Sequence, residues 1–148
     1  MTLEPGHYKA ANPSRTITVT KMDVGADPAT TSDRVGAYLN AHPETTAYIE
    51  TGSLDVAVAH WLKDRGIAPG KVIVGGFDVE SDVLQEMKAG YIQAHADQQP
   101  YMQGFMPVME VYLAKNVGLA PSDIDTGNGI VLPSQADSIA AMAAKGLR

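Results

Sequence analysis

Short apolar or β-branched runs alternate with helical stretches along the whole of this chain. A few polar, glycine or proline residues separate each pair. Arg15 to Val24 alternates β-branched residues, with Ile17 and Val19 facing one way and Thr18, Thr20 and Met22 the other, and is expected to be a strand. Thr46 to Glu50, Val72 to Gly75, Tyr91 to Ala96 and Ile130 to Leu132 are the other expected strands. Each of these strands is followed by a helical pattern, five in all. The first runs from Thr30 or Thr31 to Ala41 and stops at His42-Pro43, because proline disfavours helical geometry in the residue before it. Leu54 to Arg65 carries an apolar stripe through Val58, Trp61 and Leu62, and Gly66 suits its stop. Glu80 to Lys88, Tyr101 to Asn116 and a terminal Ala-rich stretch from Pro133-Ser134 to about Lys145 complete the set. A weaker helical turn is expected around His7 to Ala11. Strict β-α alternation with short connections predicts an α/β fold: a parallel sheet, right-handed crossovers and helices on both faces.

The 148 residues fit one ordinary domain with a real core. The chain contains no cysteine, which removes disulfides, Cys-ligated zinc and thiol catalysis together. The four histidines, His7, His42, His60 and His95, have no metal-ligand spacing and are read as solvated or packed. Net charge is −6 and the basic residues are scattered, which argues against nucleic acid as a partner. No apolar run reaches the roughly 18 residues of a membrane span, and the first residues lack the basic start and apolar segment of a signal peptide. No cofactor or metal is expected.

The chemistry concentrates at strand ends. Lys71-Val72-Ile73-Val74-Gly75-Gly76-Phe77-Asp78 is an apolar strand whose end is stripped of side chains by two glycines and followed by an aromatic and a carboxylate. In open α/β sheets ligands bind outside the carboxyl ends of strands, where Asp78 falls. A turn or helix-capping aspartate fits the same position. Three loops can meet there: Thr51-Gly52-Ser53, Phe77-Asp78 and Asp97-Gln98. They offer hydroxyls, backbone amides, two carboxylates and a carboxamide, and no nucleophile–base pair. Gly75-Gly76 lacks the G-x-G-x-x-G spacing of a dinucleotide site. Neutral and acidic hydrogen-bonding groups beside aromatics suit a polyol better than an anion, since planar carboxylates and amides each take two hydroxyls.

Val74-Gly75-Gly76-Phe77-Asp78, Lys88-Ala89-Gly90 and then Ala94-His95-Ala96-Asp97-Gln98-Gln99-Pro100-Tyr101-Met102-Gln103-Gly104 resemble the carboxyl-terminal part of the type I periplasmic sugar-binding proteins, the ribose-binding protein and its relatives. The resemblance runs from about Ile17 to the C-terminus. The pairing of G-F-D with a downstream Q-x-P-x-x-x-G is the specific part. It implies a non-catalytic solute receptor of an ABC-type importer that closes two lobes around a sugar. It implies that Asp78 and Gln98 bind sugar hydroxyls; Asp97 lies beside them as a further candidate, Tyr101 is placed to flank the sugar, and Phe77, placed likewise, is read as structural. Where the family carries an Asn-Asp pair, this chain has Gly52-Ser53, so a backbone or hydroxyl contact is expected there and the sugar is left open. The resemblance further implies that residues 1–148 are the C-terminal portion of a two-lobe protein, that helix 101–116 packs on an absent first lobe, and that the chain returns near Asn128. A homodimer covering that helix is the other expectation. The full-length protein is expected in the periplasm or lipid-anchored outside the cell, with an ABC permease as partner. The effector-binding half of a lac-repressor-type regulator shares the fold and is the alternative. A small enzyme using Asp78 and Asp97 as an acid–base pair finds no supporting nucleophile or metal.

Overall fold

The structure, a computed structural model, describes residues 10–127 and 129–147. Most of the turn expected around His7, and Asn128 itself, lie outside the described residues. Helix α1 (Pro28–Ala41) opens with Asp27 as N-cap, whose carboxylate accepts the Thr30 N–H at 2.9 Å. Strand β1 (Ala47–Ile49), helix α2 (Asp55–Asp64), strand β2 (Ile73–Phe77), helix α3 (Ser81–Lys88) and strand β3 (Ala94–Asp97) follow. Helix α4 (Pro100–Val117), strand β4 (Gly129–Val131), a 3₁₀ turn (Pro133–Gln135) and helix α5 (Ala136–Ala143) complete the order.

The four strands lie side by side in sequence order. β1–β2 and β2–β3 pair in parallel, as alternation requires, but β4 pairs antiparallel to β3, with His95 opposite Val131. The parallel expectation therefore fails at the last strand. The chain reaches it not through a packed crossover helix but by returning along α4, where Ser122 N–H donates to Glu110 at 3.0 Å and Gln103 reaches Thr126.

The strand expected over Arg15 to Val24 is absent. A β-branched alternating run needs a neighbouring ladder to become a strand. This one lies against α1 instead: Thr31 donates to the Val24 carbonyl at 3.2 Å, Arg34 to the Asp23 carbonyl, and Tyr38 to the Thr20 hydroxyl at 3.0 Å. Its Val19 stays exposed.

The core fills one face of the sheet. Val74, Val131 and half-buried Tyr48 point there and meet Val56, Val58, Ala59 and Leu62 of α2, Val83, Leu84 and Met87 of α3, and Ile139 of α5. α1 packs on α2, where Gly36 admits the Trp61 ring; a Cβ at that glycine would stand 2.3 Å from Trp61 Nε1. Trp61 is thus a packing residue, as its place in the apolar stripe implies. Consecutive right-handed crossovers in one direction put their helices on the same side. The opposite face carries Ile49, Ile73 and Ile130, aligned by register and alternation with Gly75, Phe77, Ala94 and Ala96. Those three isoleucines remain exposed. So does α4, which runs from Pro100 to Val117 with Pro107 inside it and has no fully buried residue. Among the described residues no helix is long and apolar enough to cross a membrane.

Candidate ligand site at the ends of β2 and β3

Two non-glycine residues among those described have left-handed backbone, Asp78 (φ 70°) and Gln99 (φ 56°). Each stands just beyond the carboxyl end of a strand, β2 or β3. Such strain costs on the order of 1–3 kcal/mol and persists only where the surroundings hold it. For Asp78 the holders are visible. Its N–H donates to the Ala96 carbonyl at 3.0 Å, and its carbonyl accepts from His95 Nδ1 at 2.6 Å. For Gln99, the N–H meets Asp97 Oδ1 at 2.9 Å and the side-chain amide reaches the Thr126 carbonyl at 3.2 Å.

The turn at Asp78 aims its carboxylate across to β3, where the Gln98 amide donates to it. Asp78, Gln98 and buried Asp97, with Val79, Glu80 and Pro100, line an open hollow of about 200 Å³. The pair is half-exposed to exposed, so its remaining lone pairs and N–H face solvent. The structure therefore brings together three of the seven residues singled out from sequence. Gly52 lies next door, its carbonyl accepting the Phe77 N–H at 3.1 Å. Ser53 lines a neighbouring hollow of about 310 Å³ with Leu54, His60, Glu80 and Asp82. Phe77 stands on the open sheet face by register. Tyr101 lies on α4 beyond the hollow and stacks on Phe105, centroids 6.0 Å apart.

Beneath the hollow is a pair that the sequence did not suggest. His95 Nε2 lies 2.6 Å from Asp55 Oδ2, and both side chains are fully buried. Burial works against an imidazolium, but the hydrogen bond and charge of Asp55, aided by the carbonyls of Asp78 and Phe77, outweigh it and raise the His95 pKa above the ordinary histidine value. Gly76 makes room for this pair, since a Cβ there would meet the Gly52 carbonyl at 2.6 Å and His95 Cε1 at 3.0 Å. Beside it, the Tyr48 hydroxyl donates to buried Glu50, and burial followed by that carboxylate pushes the phenol pKa up. A polar residue at an inward position of an alternating strand, opposite a glycine, was the available signal for His95. Asp55 between Leu54 and Val56 at the start of a helix gave none. No cluster of three or more His, Asp or Glu side chains able to hold a metal occurs among the described residues.

The family model described as the periplasmic binding protein domain matches residues 6–117. The xylose/arabinose-binding protein XylF of Sulfolobus acidocaldarius is 33% identical over 124 residues, which is 76% of this chain and 31% of that protein. A carbohydrate transporter structure from Acidothermus cellulolyticus in complex with myo-inositol superposes with TM-score 0.67 at 26% identity, over 84% of this chain and 44% of that one. An ABC sugar transporter periplasmic sugar-binding protein from Legionella pneumophila gives TM-score 0.62 at 27% identity, over 72% and 40%. The chain thus spans less than half the length of these relatives. With the matched residues covering α1 through α4, the chain belongs to the periplasmic binding protein domain family.

Proposed function

We propose that this chain is the sugar-contacting part of a solute receptor serving an ABC-type importer, and that it binds a pentose or related polyol without catalysis. The observation that carries this reading is the Asp78–Gln98 pair: a carboxylate and a carboxamide from adjacent strand ends, hydrogen-bonded to each other and open to solvent. Together they offer planar acceptors and donors for adjacent hydroxyls. The relatives, a xylose/arabinose-binding protein and a protein in complex with myo-inositol, support a polyol as the ligand class. Asp97, Gly52 and Ser53 are read as supporting contacts. Tyr101 is read as a flanking ring, carried in by the rest of a longer chain.

In a longer protein a second lobe closes over this hollow, and α4 lays its exposed Phe105, Val108, Val111 and Tyr112 against it. In the chain as it stands the site is half-built, so affinity is weak. The longer protein works in the periplasm or outside the cell. Thermal melting against D-xylose, L-arabinose, D-ribose and myo-inositol at tens of millimolar tests the reading, because a ligand of the folded state raises the melting temperature. A rise with one or two pentoses, absent in Asp78→Ala, is expected. Equal rises in that variant, or none with any polyol, overturn it.

A further inference from the structure

Building on the reading of Asp78 as a sugar contact, we propose that the buried Asp55–His95 pair is a positioning element for that residue, so that sugar affinity depends on the ionisation of His95. The Asp78 carbonyl can only accept, so His95 Nδ1 carries a proton toward it. Nε2 faces a carboxylate at 2.6 Å, and that contact also needs a proton. Only the doubly protonated ring donates at both ends while Asp55 keeps its charge. In that state one rigid side chain ties the first turn of α2 to the carbonyl of a residue in left-handed conformation. Fixing that carbonyl fixes the peptide from which the Asp78 carboxylate swings toward Gln98.

When the ring loses a proton, one contact turns into two opposed lone pairs, either at Asp55 or at the Asp78 carbonyl. Asp55 Oδ1 has no hydrogen-bond partner among the described residues, so this carboxylate cannot shift its demand elsewhere without moving. The groups facing His95 are few. α2 presents Asp55, β2 the Phe77 and Asp78 carbonyls, β4 apolar Val131, and β1 Tyr48 with Glu50 through Asp55. On β3 itself Asp97 follows two residues later and is engaged by the Gln99 N–H. The pair makes no contact with the hollow, so it acts through Asp78 rather than on the ligand.

The test is an NMR titration of the 148-residue chain with D-xylose between pH 5.5 and 9.5, with the His95 ring nitrogens followed in the same samples. The dissociation constant is expected to rise about tenfold as the ring deprotonates, the size of one lost hydrogen bond. Asp55→Asn keeps the shape and removes the charge; its carboxamide can donate to the deprotonated Nε2, so the ring midpoint is expected to fall while the neutral ring keeps both contacts and the affinity break disappears. A break that persists at its wild-type pH in that variant overturns the proposal. A flat profile in the wild-type chain across its own ring titration overturns the proposal. If the ring stays protonated to pH 9.5, the affinity must stay flat over that range, and a break there overturns it equally. If no polyol binds at any pH, the sugar reading has failed on its own. The Asp78 amide and Gln98 side-chain resonances then decide: shifts that track the ring support the clamp, and shifts that ignore it overturn it.

Discussion

The Gln98 side-chain amide donates to the Asp78 carboxylate across 20 residues of sequence, tying the end of β3 to the end of β2. Both groups keep solvent-facing valences, and that is what a hydroxyl-rich ligand needs. Asp78→Ala removes a charge-assisted partner worth about 1.5–3 kcal/mol and is expected to weaken sugar binding about 10–100-fold. Gln98→Ala should weaken it less, about 3–10-fold, since it removes a neutral hydrogen bond. Gln98→Ala should leave the urea midpoint nearly unchanged because its side chain is exposed, whereas Asp78→Ala, at a left-handed position that Asp tolerates better than Ala, should lower it modestly. Calorimetric titration beside urea denaturation separates the two effects.

Gly76 is the narrowest point of the site's floor. A Cβ would press 2.6 Å from the Gly52 carbonyl oxygen, which is backbone and cannot swing away, and 3.1 Å from Asp55 Oδ2. Gly76→Ala is expected to cost about 1–3 kcal/mol of stability by overpacking. A melting temperature equal to wild type would contradict that floor.

The buried pair makes stability depend on pH. The folded-state pKa of His95 is raised above the ordinary value near 6.5. The folded form therefore holds its proton more tightly than the unfolded one. That contribution is fully present below about pH 6.5 and is lost as pH climbs through the raised folded value. Urea denaturation should give a lower midpoint at pH 9 than at pH 6. His95→Leu, which strands a buried carboxylate, is expected to cost about 3–5 kcal/mol.

Large apolar side chains are exposed both on α4 and on the uncovered sheet face. Val108 is 68% exposed and Val111 58% on α4, and Ile130 is 58% exposed on the uncovered sheet face. The isolated chain is expected to self-associate at high concentration. Sedimentation velocity should find a smaller species in Val108→Glu/Val111→Glu, with the melting temperature little changed, because α4 has no fully buried residue.

Much of this molecule could be read from its residues, for identifiable reasons. The central strand end, the helix bodies and the Asp78–Gln98 juxtaposition follow from local periodicity and from strand ends meeting at one edge. What escaped depends on neighbours. Arg15 to Val24 has every β signal, yet a strand exists only with a ladder beside it, and here α1 takes the contacts. The direction of β4 was invisible because the return along α4 depends on tertiary contacts such as Glu110 to Ser122. His95 and Asp55 are 40 residues apart, and nothing local marks two polar side chains that meet only inside the fold. The open face of the sheet is a negative property: Ile49, Ile73 and Ile130 look like core residues, and only the placement of the helices exposes them.

The measurement that bears most directly on the central claim is a ¹H–¹⁵N titration of this chain with D-xylose and L-arabinose to high millimolar concentration, read residue by residue. Weak binding is visible by this method. The account requires saturable shifts at Asp78 and at the Gln98 side-chain amide, reaching Asp97 and Gly52, and lost in Asp78→Ala. Saturable shifts centred elsewhere, or unchanged in that variant, would contradict it.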